Sequence, residues 1–355
     1  MLMAYRPGWY VYLTCASSRR PTLRDSNCYM VLQNPLPPNS VRLEMRHHIS
    51  ITRRQAVAAM GAAAAGTILR PLAGLGSAQT QTITKAIPST GELIPAVGLG
   101  TWITFNVGDD PELREECAAV MRAFFDAGGR MIDSSPMYGS SQSVIGYGLS
   151  RLPSPARLFS ADKVWTSSAS GGPEQIEASR KHWRVQRFDL LQIHNLLTWE
   201  EHLPMLLAMK QAGRVRYVGI TTSEGRRHDE IERIMATEPV DFVQITYNIL
   251  DREVESRILP LARDRGIAVI ANRPFREGAL TRSLRRQRLP SWAGEIGATT
   301  WAQFILKFIV SHPAITCAIP ATSQVPHVKE NMAAATGRLP DAALRRRMAS
   351  YVEAL

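Results

Sequence analysis

The sequence predicts an α/β protein folded as a (β/α)8 TIM barrel, and three observations carry that expectation. From residue 96 onward, eight short apolar runs recur along the chain. Amphipathic stretches of helical period separate them, several closed by glycine. The region they occupy is about 250 residues long, the usual size of that barrel. Strands this apolar belong in a parallel sheet whose outer face is covered by helices. A doubly wound sheet would share the alternation, but no G-x-G-x-x-G follows an early strand.

In chain order, the first run is AVGLGT at 96–101, followed by the helical stretch CAAVMRAFFDAGG, whose closing glycines are where a helix usually stops. The second, MIDSS at 131–135, contains Asp133, with Tyr138 just beyond it. The third, LFSADKVW at 158–165, carries Lys163 near its end, and the fourth, FDLLQIHN at 188–195, carries His194. The helical stretch EEHLPMLLAMKQAGR then leads to VRYVGITT at 215–222 and DFVQITYN at 241–248. EVESRILPLARDRG is the next helix, and IAVIAN at 267–272 and ITCAIPAT at 315–322 complete the eight strands.

Chemistry in such a barrel sits at the carboxyl ends of the strands, so Asp133, Tyr138, Lys163 and His194 are expected to converge on one mouth. Each alone has an ordinary explanation: a helix cap, core packing, a surface lysine, a satisfied core histidine. Together they describe a proton donor. A phenol of pKa about 10 is a poor acid at neutral pH unless a nearby cation favours its charged form. Lys163 is placed to be that cation, Asp133 to hold it charged and aimed, and His194 to orient a carbonyl oxygen or share its proton.

The segments GGRMIDSSPMYG, DKVW and LLQIHN, in that order, resemble the aldo-keto reductase superfamily, and the similarity covers roughly residues 85 to 340. The resemblance implies a (β/α)8 barrel and hydride transfer between a nicotinamide cofactor and a carbonyl or alcohol. It implies Tyr138 as general acid, Asp133 and Lys163 as its tuners, and His194 as the group that positions substrate. Gly100 and Thr101 fall near the nicotinamide and Trp102 in the substrate pocket, while Asn195, Thr221, Thr222 and Gln244 hold the carboxamide or line the site. The segment RPFREGAL covers the pyrophosphate through Pro274, Phe275, Gly278 and Leu280. IPATSQVPHVKEN matches an adenosine-phosphate signature with Thr322, His327, Glu330 and Asn331, and a helix starting near Val325 would offer N–H groups to phosphate.

Departures from the pattern bear on the cofactor. Asn272 stands where many members have an aromatic that stacks on nicotinamide. Ala321 and His327 replace a frequent lysine and a frequent arginine, and a neutral imidazole clamps a 2′-phosphate less well than a guanidinium. NADP(H) is the implied cofactor, NAD(H) the alternative, and the preference is expected to be relaxed. Trp102, Met137, Tyr138 and Trp199 read as an apolar mouth for aldehydes or ketones. Two rival readings are a cofactor-binding barrel acting as a regulatory subunit and a cofactor-free lyase or isomerase.

The net charge of +11 looks like a nucleic-acid signature until it is divided by position. Residues 1–78 hold nine arginines against Asp25 and Glu44, leaving 33 basic and 29 acidic residues in the remainder. A mildly basic body without interleaved aromatics gives no reason to expect a nucleic-acid partner. The runs RSLRRQR at 282–288 and RRR at 345–347 are expected to be solvated surface. Cys15, Cys28, Cys117 and Cys317 lack metal-ligand spacing, so no metal is expected and core packing is the simpler role.

Residues 45–78 have a basic head with Arg53-Arg54, an apolar stretch from Ala56 to Leu69, and small residues ending at Ala78. Those 14 residues would make about 21 Å of helix, short of the ~30 Å membrane core, so a stable span is not expected. The organisation resembles a twin-arginine export signal. It predicts engagement of that export machinery, cleavage near Ala78 and a periplasmic or exported product, with the barrel spanning 79–355. Residues 1–44 show no sustained periodicity and receive no fold, and Met45 is expected to be the true start.

Overall fold

In the computed structural model, residues 82–152 and 157–355 are described, so the expectations for the amino-terminal segment lie outside the described residues. The first described elements are a short antiparallel hairpin, β1 (Thr84–Ala86) and β2 (Leu93–Pro95), which the sequence reading did not anticipate. Three residues per strand are too few to display a period.

Eight parallel strands follow: β3 (Leu99–Gly100), β4 (Met131–Asp133), β5 (Phe159–Val164), β6 (Phe188–Ile193), β7 (Val215–Thr221), β8 (Phe242–Thr246), β9 (Ala268–Asn272) and β10 (Cys317–Ala318). Each pairs with its sequence neighbours, and bridges from Val97 to Ala318 and from Gly100 to Ala321 bring the last strand against the first. The closure depends on Gly100, because a Cβ there would lie 2.7 Å from the Ile319 carbonyl oxygen. The eight strands are those expected from the apolar runs.

The outer layer begins with α1 (Pro111–Asp126), α2 (Ser141–Ser150), α3 (Gly172–Trp183) and α4 (Trp199–Gln211). It continues with α5 (His228–Thr237), α6 (Ile258–Arg265), α7 (Ala279–Leu284), α8 (Trp301–Val310), α9 (Val325–Ala333) and α10 (Ala342–Glu353). Asp110 caps α1 by accepting from the amides of Glu112 and Leu113, ahead of Pro111, whose ring suits a first helical turn. Gly266 closes α6 in the left-handed region at φ 66°, as the glycine pattern predicted.

A strand alternates its side chains, and here the alternation divides the core in two. Met131, Phe159, Leu190, Tyr217, Phe242 and Ile270 fill the barrel interior and meet Ile87 and Ile94 from the hairpin, which close its floor. Ile132, Leu191, Val218, Val243 and Val269 face outward and pack under the helices. Towards the carboxyl ends the inward positions become polar: Asp133, Lys163, Gln192, Gln244 and Asn272. The same two-residue period that fills the floor with hydrocarbon therefore builds the site above it.

Cys117 and Cys317 are buried free thiols, in line with core packing. Among the basic runs, Arg345 corrects the surface reading. It is 8% exposed, donates to the Tyr247 hydroxyl at 2.5 Å, pairs with Glu255 at 3.0 Å and lies 4.2 Å from the Phe308 ring centroid. These contacts fasten α10 to the barrel. Arg345 lies three, four and seven residues before Met348, Ala349 and Val352, so the helical period of α10 places it, and not Arg346 or Arg347, on the buried face, although its charge alone argues for solvent. Among the described residues no helix is long and apolar enough to cross a membrane.

Candidate active site

The site starts from a buried ion pair. Lys163, wholly buried near the end of β5, donates from Nζ to Asp133 Oδ2 at 2.5 Å and to the Ser134 carbonyl at 2.9 Å. A charge pair out of water survives only when its remaining lone pairs are satisfied. Here Asp133 Oδ1 accepts from Gln244 Nε2 at 2.8 Å and from Gln192 Nε2 at 3.2 Å. The Lys163 pKa lies above its ordinary value: burial lowers it, but the Asp133 carboxylate, with support from Tyr138 and Asp162, outweighs that.

Tyr138 lies in the turn after β4, half-buried, with Lys163 Nζ 5.2 Å from its ring centroid. The expectation that Lys163 makes this phenol a stronger acid than usual is corrected. Burial raises the Tyr138 pKa above its ordinary value and wins, while the Lys163 ammonium pulls the other way and Asp133 adds to the rise. The resting phenol keeps its proton throughout the neutral range, and the ammonium is positioned to stabilise an oxyanion once that proton leaves.

His194 packs edge-on to Tyr138, ring centroids 5.6 Å apart, and its Nδ1 is 2.7 Å from Ser135 Oγ. Burial, reinforced by the Lys163 charge, pushes its pKa well below the ordinary imidazole value. The imidazole is neutral at physiological pH and can donate one proton without carrying charge. Trp102 stands 4.9 Å from Tyr138, centroid to centroid, and is 37% exposed at the rim.

Asp133, Tyr138 and His194 border a cavity of about 1070 Å³. Its wall includes Gly100, Thr101, Trp102, Met137, Asn195, Thr221, Gln244 and Asn272. It continues past Pro274, Phe275 and Gly278 to Thr322, His327, Glu330 and Asn331. The structure thus brings most of the expected residues to one space.

The sequence of a (β/α)8 barrel alone leaves its chemistry open, but the ordered site restricts it, and comparison with known proteins agrees. The sequence profile of the aldo/keto reductase family matches residues 96–349. The chain belongs to this family. Methylglyoxal reductase YeaE of Escherichia coli (strain K12) is 26% identical over 255 residues, covering 70% of this chain and 88% of that protein. An NADH-specific methylglyoxal reductase of the same organism is 26% identical over 247 residues, covering 59% and 73%. An aldo/keto reductase from Klebsiella pneumoniae, solved with NADP and acetate, superposes with a TM-score of 0.63 at 22% identity, over 74% of this chain and 93% of that one.

Several expected residues of this aldo/keto reductase sit elsewhere than the motifs implied. Thr222 is buried outside the cavity wall with an unpartnered hydroxyl, because the β7 alternation that turns Thr221 inward turns Thr222 away. Leu280 is 3% exposed and packs in the core on α7 rather than on the wall. Trp199 does not reach the mouth: it opens α4, donates to Glu230 at 2.8 Å and lies under Arg233. Lys163 is behind the wall, acting through Asp133 and Tyr138.

Asn272, replacing an aromatic, has both amide ends engaged. Its Oδ1 accepts from Thr246 at 2.8 Å and its Nδ2 donates to the Thr222 carbonyl at 2.9 Å, so it laces β7, β8 and β9 at the rim. Gln192 and Ser135 were given no role by the sequence reading. Gln192 stands two residues before His194 on β6, so the strand period could have found it.

A nicotinamide dinucleotide fits the donor set of this reductase. The cavity is larger than a typical small-ligand pocket, and Asn195, Thr221 and Gln244 offer polar groups beside Tyr138. The loop expected over the pyrophosphate holds Arg273, Arg276 and Glu277 at φ 50°, 48° and 55°, followed by Gly278 at 79°. Left-handed non-glycine residues cost energy and cluster where backbone is shaped for a ligand. Ion pairs from Arg273 to Glu224 at 3.1 Å and from Arg276 to Asp251 hold that shape.

Proposed function

We propose that this NAD(P)H-dependent oxidoreductase reduces aldehyde or ketone carbonyls to alcohols, or runs the reverse reaction, with Tyr138 as the proton donor. The observation that carries the reading is the half-buried phenol beside the Lys163–Asp133 pair, facing the same cavity as a neutral His194. The methylglyoxal reductases among its relatives favour small aldehydes as the first substrates to assay. Trp102 and Met137 give the mouth an apolar lip that such compounds can enter.

When bound, the reduced nicotinamide supplies hydride to the carbonyl carbon. Asn195, Thr221 and Gln244 would hold its ring, while Thr322, His327, Glu330 and Asn331 would hold the adenosine end. His194 donates a hydrogen bond to the carbonyl oxygen and fixes its direction. The Tyr138 hydroxyl transfers its proton to that oxygen, and the Lys163 ammonium stabilises the phenolate left behind. Asp133 keeps Lys163 in reach and charged, with Gln192 and Gln244 saturating its free oxygen. In the oxidative direction the same phenolate takes the alcohol proton.

With Ala321 and His327 at the adenosine end, fixed positive charge for a 2′-phosphate is reduced, and both NADPH and NADH are expected to serve. Titration of the full chain is expected to give Kd values differing by less than 100-fold, about 2.7 kcal/mol. A larger bias toward NADPH counts against this reading.

We also propose that residues 45–78 are a twin-arginine export signal and that the barrel acts in the periplasm or beyond. The Arg53-Arg54 pair and the small-residue end at Ala78 support it. Amino-terminal sequencing of exported material is expected to start at Gln79; a start upstream of residue 45 rules the proposal out.

A further inference from the structure

We propose that Ser135 is a positioning residue that locks His194 in the tautomer carrying its proton on Nε2, so that the imidazole always presents a donor to the carbonyl oxygen. The inference rests on the reductase reading above and adds a residue to it. Three facts converge. Ser135 Oγ and His194 Nδ1 are 2.7 Å apart, and both residues are buried, at 0% and 6% exposure. Ser135 Oγ already accepts from the Met137 amide at 3.2 Å. Its own hydroxyl proton has no acceptor other than Nδ1 among the described residues.

Only one arrangement satisfies every group. If Nδ1 carried the proton, it would donate to Ser135 Oγ and leave the serine hydroxyl proton buried without a partner, an expensive state. If Ser135 donates to Nδ1, the serine is satisfied as donor and acceptor, and the single imidazole proton must reside on Nε2. The Met137 amide therefore aims the serine, and the serine selects the tautomer. Both residues belong to the turn that also carries Tyr138, so acid and orienting donor are set by one backbone segment.

The titratable groups against the ring are Tyr138 in that same turn and Lys163 on β5, with Asp133 of β4 behind Lys163; Thr221 of β7, which does not titrate in this range, accepts from the neighbouring Asn195 amide at 3.5 Å. Lys163 repels an imidazolium, and a hydrogen bond received at Nδ1 also favours the neutral ring. Removing the Ser135 hydroxyl must then raise the pH at which His194 gains its second proton.

The test uses the full chain labelled with 15N-histidine, its tautomers read by two-dimensional NMR, together with kinetics on a small aldehyde. The native protein is expected to show His194 protonated at Nε2 alone. Ser135→Ala is expected to show both tautomers, a kcat lower by about 10-fold with KM for NADPH unchanged, and an acid limb of the pH–rate profile moved to higher pH. Ser135→Thr, which restores a hydroxyl, is expected to recover the single tautomer and most of kcat. A native proton on Nδ1 overturns the proposal. So does an Nε2-only spectrum in Ser135→Ala, whatever happens to activity. Because the tautomer is observed without turnover, a failed Tyr138 assignment would leave this result standing, and the reverse also holds.

Discussion

Replacing Tyr138 by phenylalanine is expected to lower kcat for carbonyl reduction by about 10²- to 10⁴-fold, the range that a positioned proton donor contributes. The ring keeps its packing against Trp102 and His194, so folding and NADPH binding should be unchanged. Stopped-flow or steady-state consumption of NADPH measures the first, and quenching of protein fluorescence measures the second. The phenol is reluctant at rest, since burial holds its pKa above the ordinary value. The catalytic benefit comes from attraction between Lys163 and the forming oxyanion, an interaction stronger in the transition state than before it. If the phenylalanine variant turns over within threefold of the native rate, a different group supplies the proton.

The second large effect is expected at the ion pair. Lys163→Met leaves the Asp133 carboxylate buried with only glutamine donors, and stranding one member of such a pair costs about 3–5 kcal/mol. At about 2–4 °C per kcal/mol, the melting temperature should drop by roughly 6–20 °C. Activity should fall about 10²-fold or more as well, because the phenolate loses its stabilising charge. Adding Asp133→Asn to Lys163→Met removes the stranded charge and is expected to restore more than half of the lost stability without restoring activity. Calorimetry beside kinetics separates the two, and a double variant no more stable than the single one would show that charge burial is not the cause. The sign in pH is fixed by the raised Lys163 pKa: the pair's contribution is complete below the ordinary lysine value and fades only as pH climbs through the higher folded one.

Much of the barrel was legible because its strands are apolar on both faces, so each stands out from the helices as a run. Positions near the carboxyl ends were legible for a related reason: Asp133, Lys163 and His194 interrupt those runs. What the sequence hid was direction. Thr221 and Thr222 are chemically alike, and only the pairing of β7 with its neighbours decides that the first faces the cavity. Leu280 was carried onto the wall by a motif, yet a leucine on a short helix is drawn into the core. The net pKa of Tyr138 was also beyond reach, since it depends on how much burial opposes the Lys163 charge. Arg345 shared the period of the buried face of α10, but what lets its charge sit there, the tertiary meeting with Tyr247, Glu255 and Phe308, was not legible.

The hairpin at the floor has an architectural consequence. The Ile83 amide donates to the Ala335 carbonyl at 2.7 Å, and the Ala96 amide donates to the Ile83 carbonyl at 3.0 Å. The polypeptide therefore enters the described domain at its sealed underside, diametrically opposed to the opening where aldehyde and dinucleotide are expected to arrive. Among the described residues the entrance is drawn wholly from Gly100 onward, so the plug beneath and the threshold above come from separate stretches of chain.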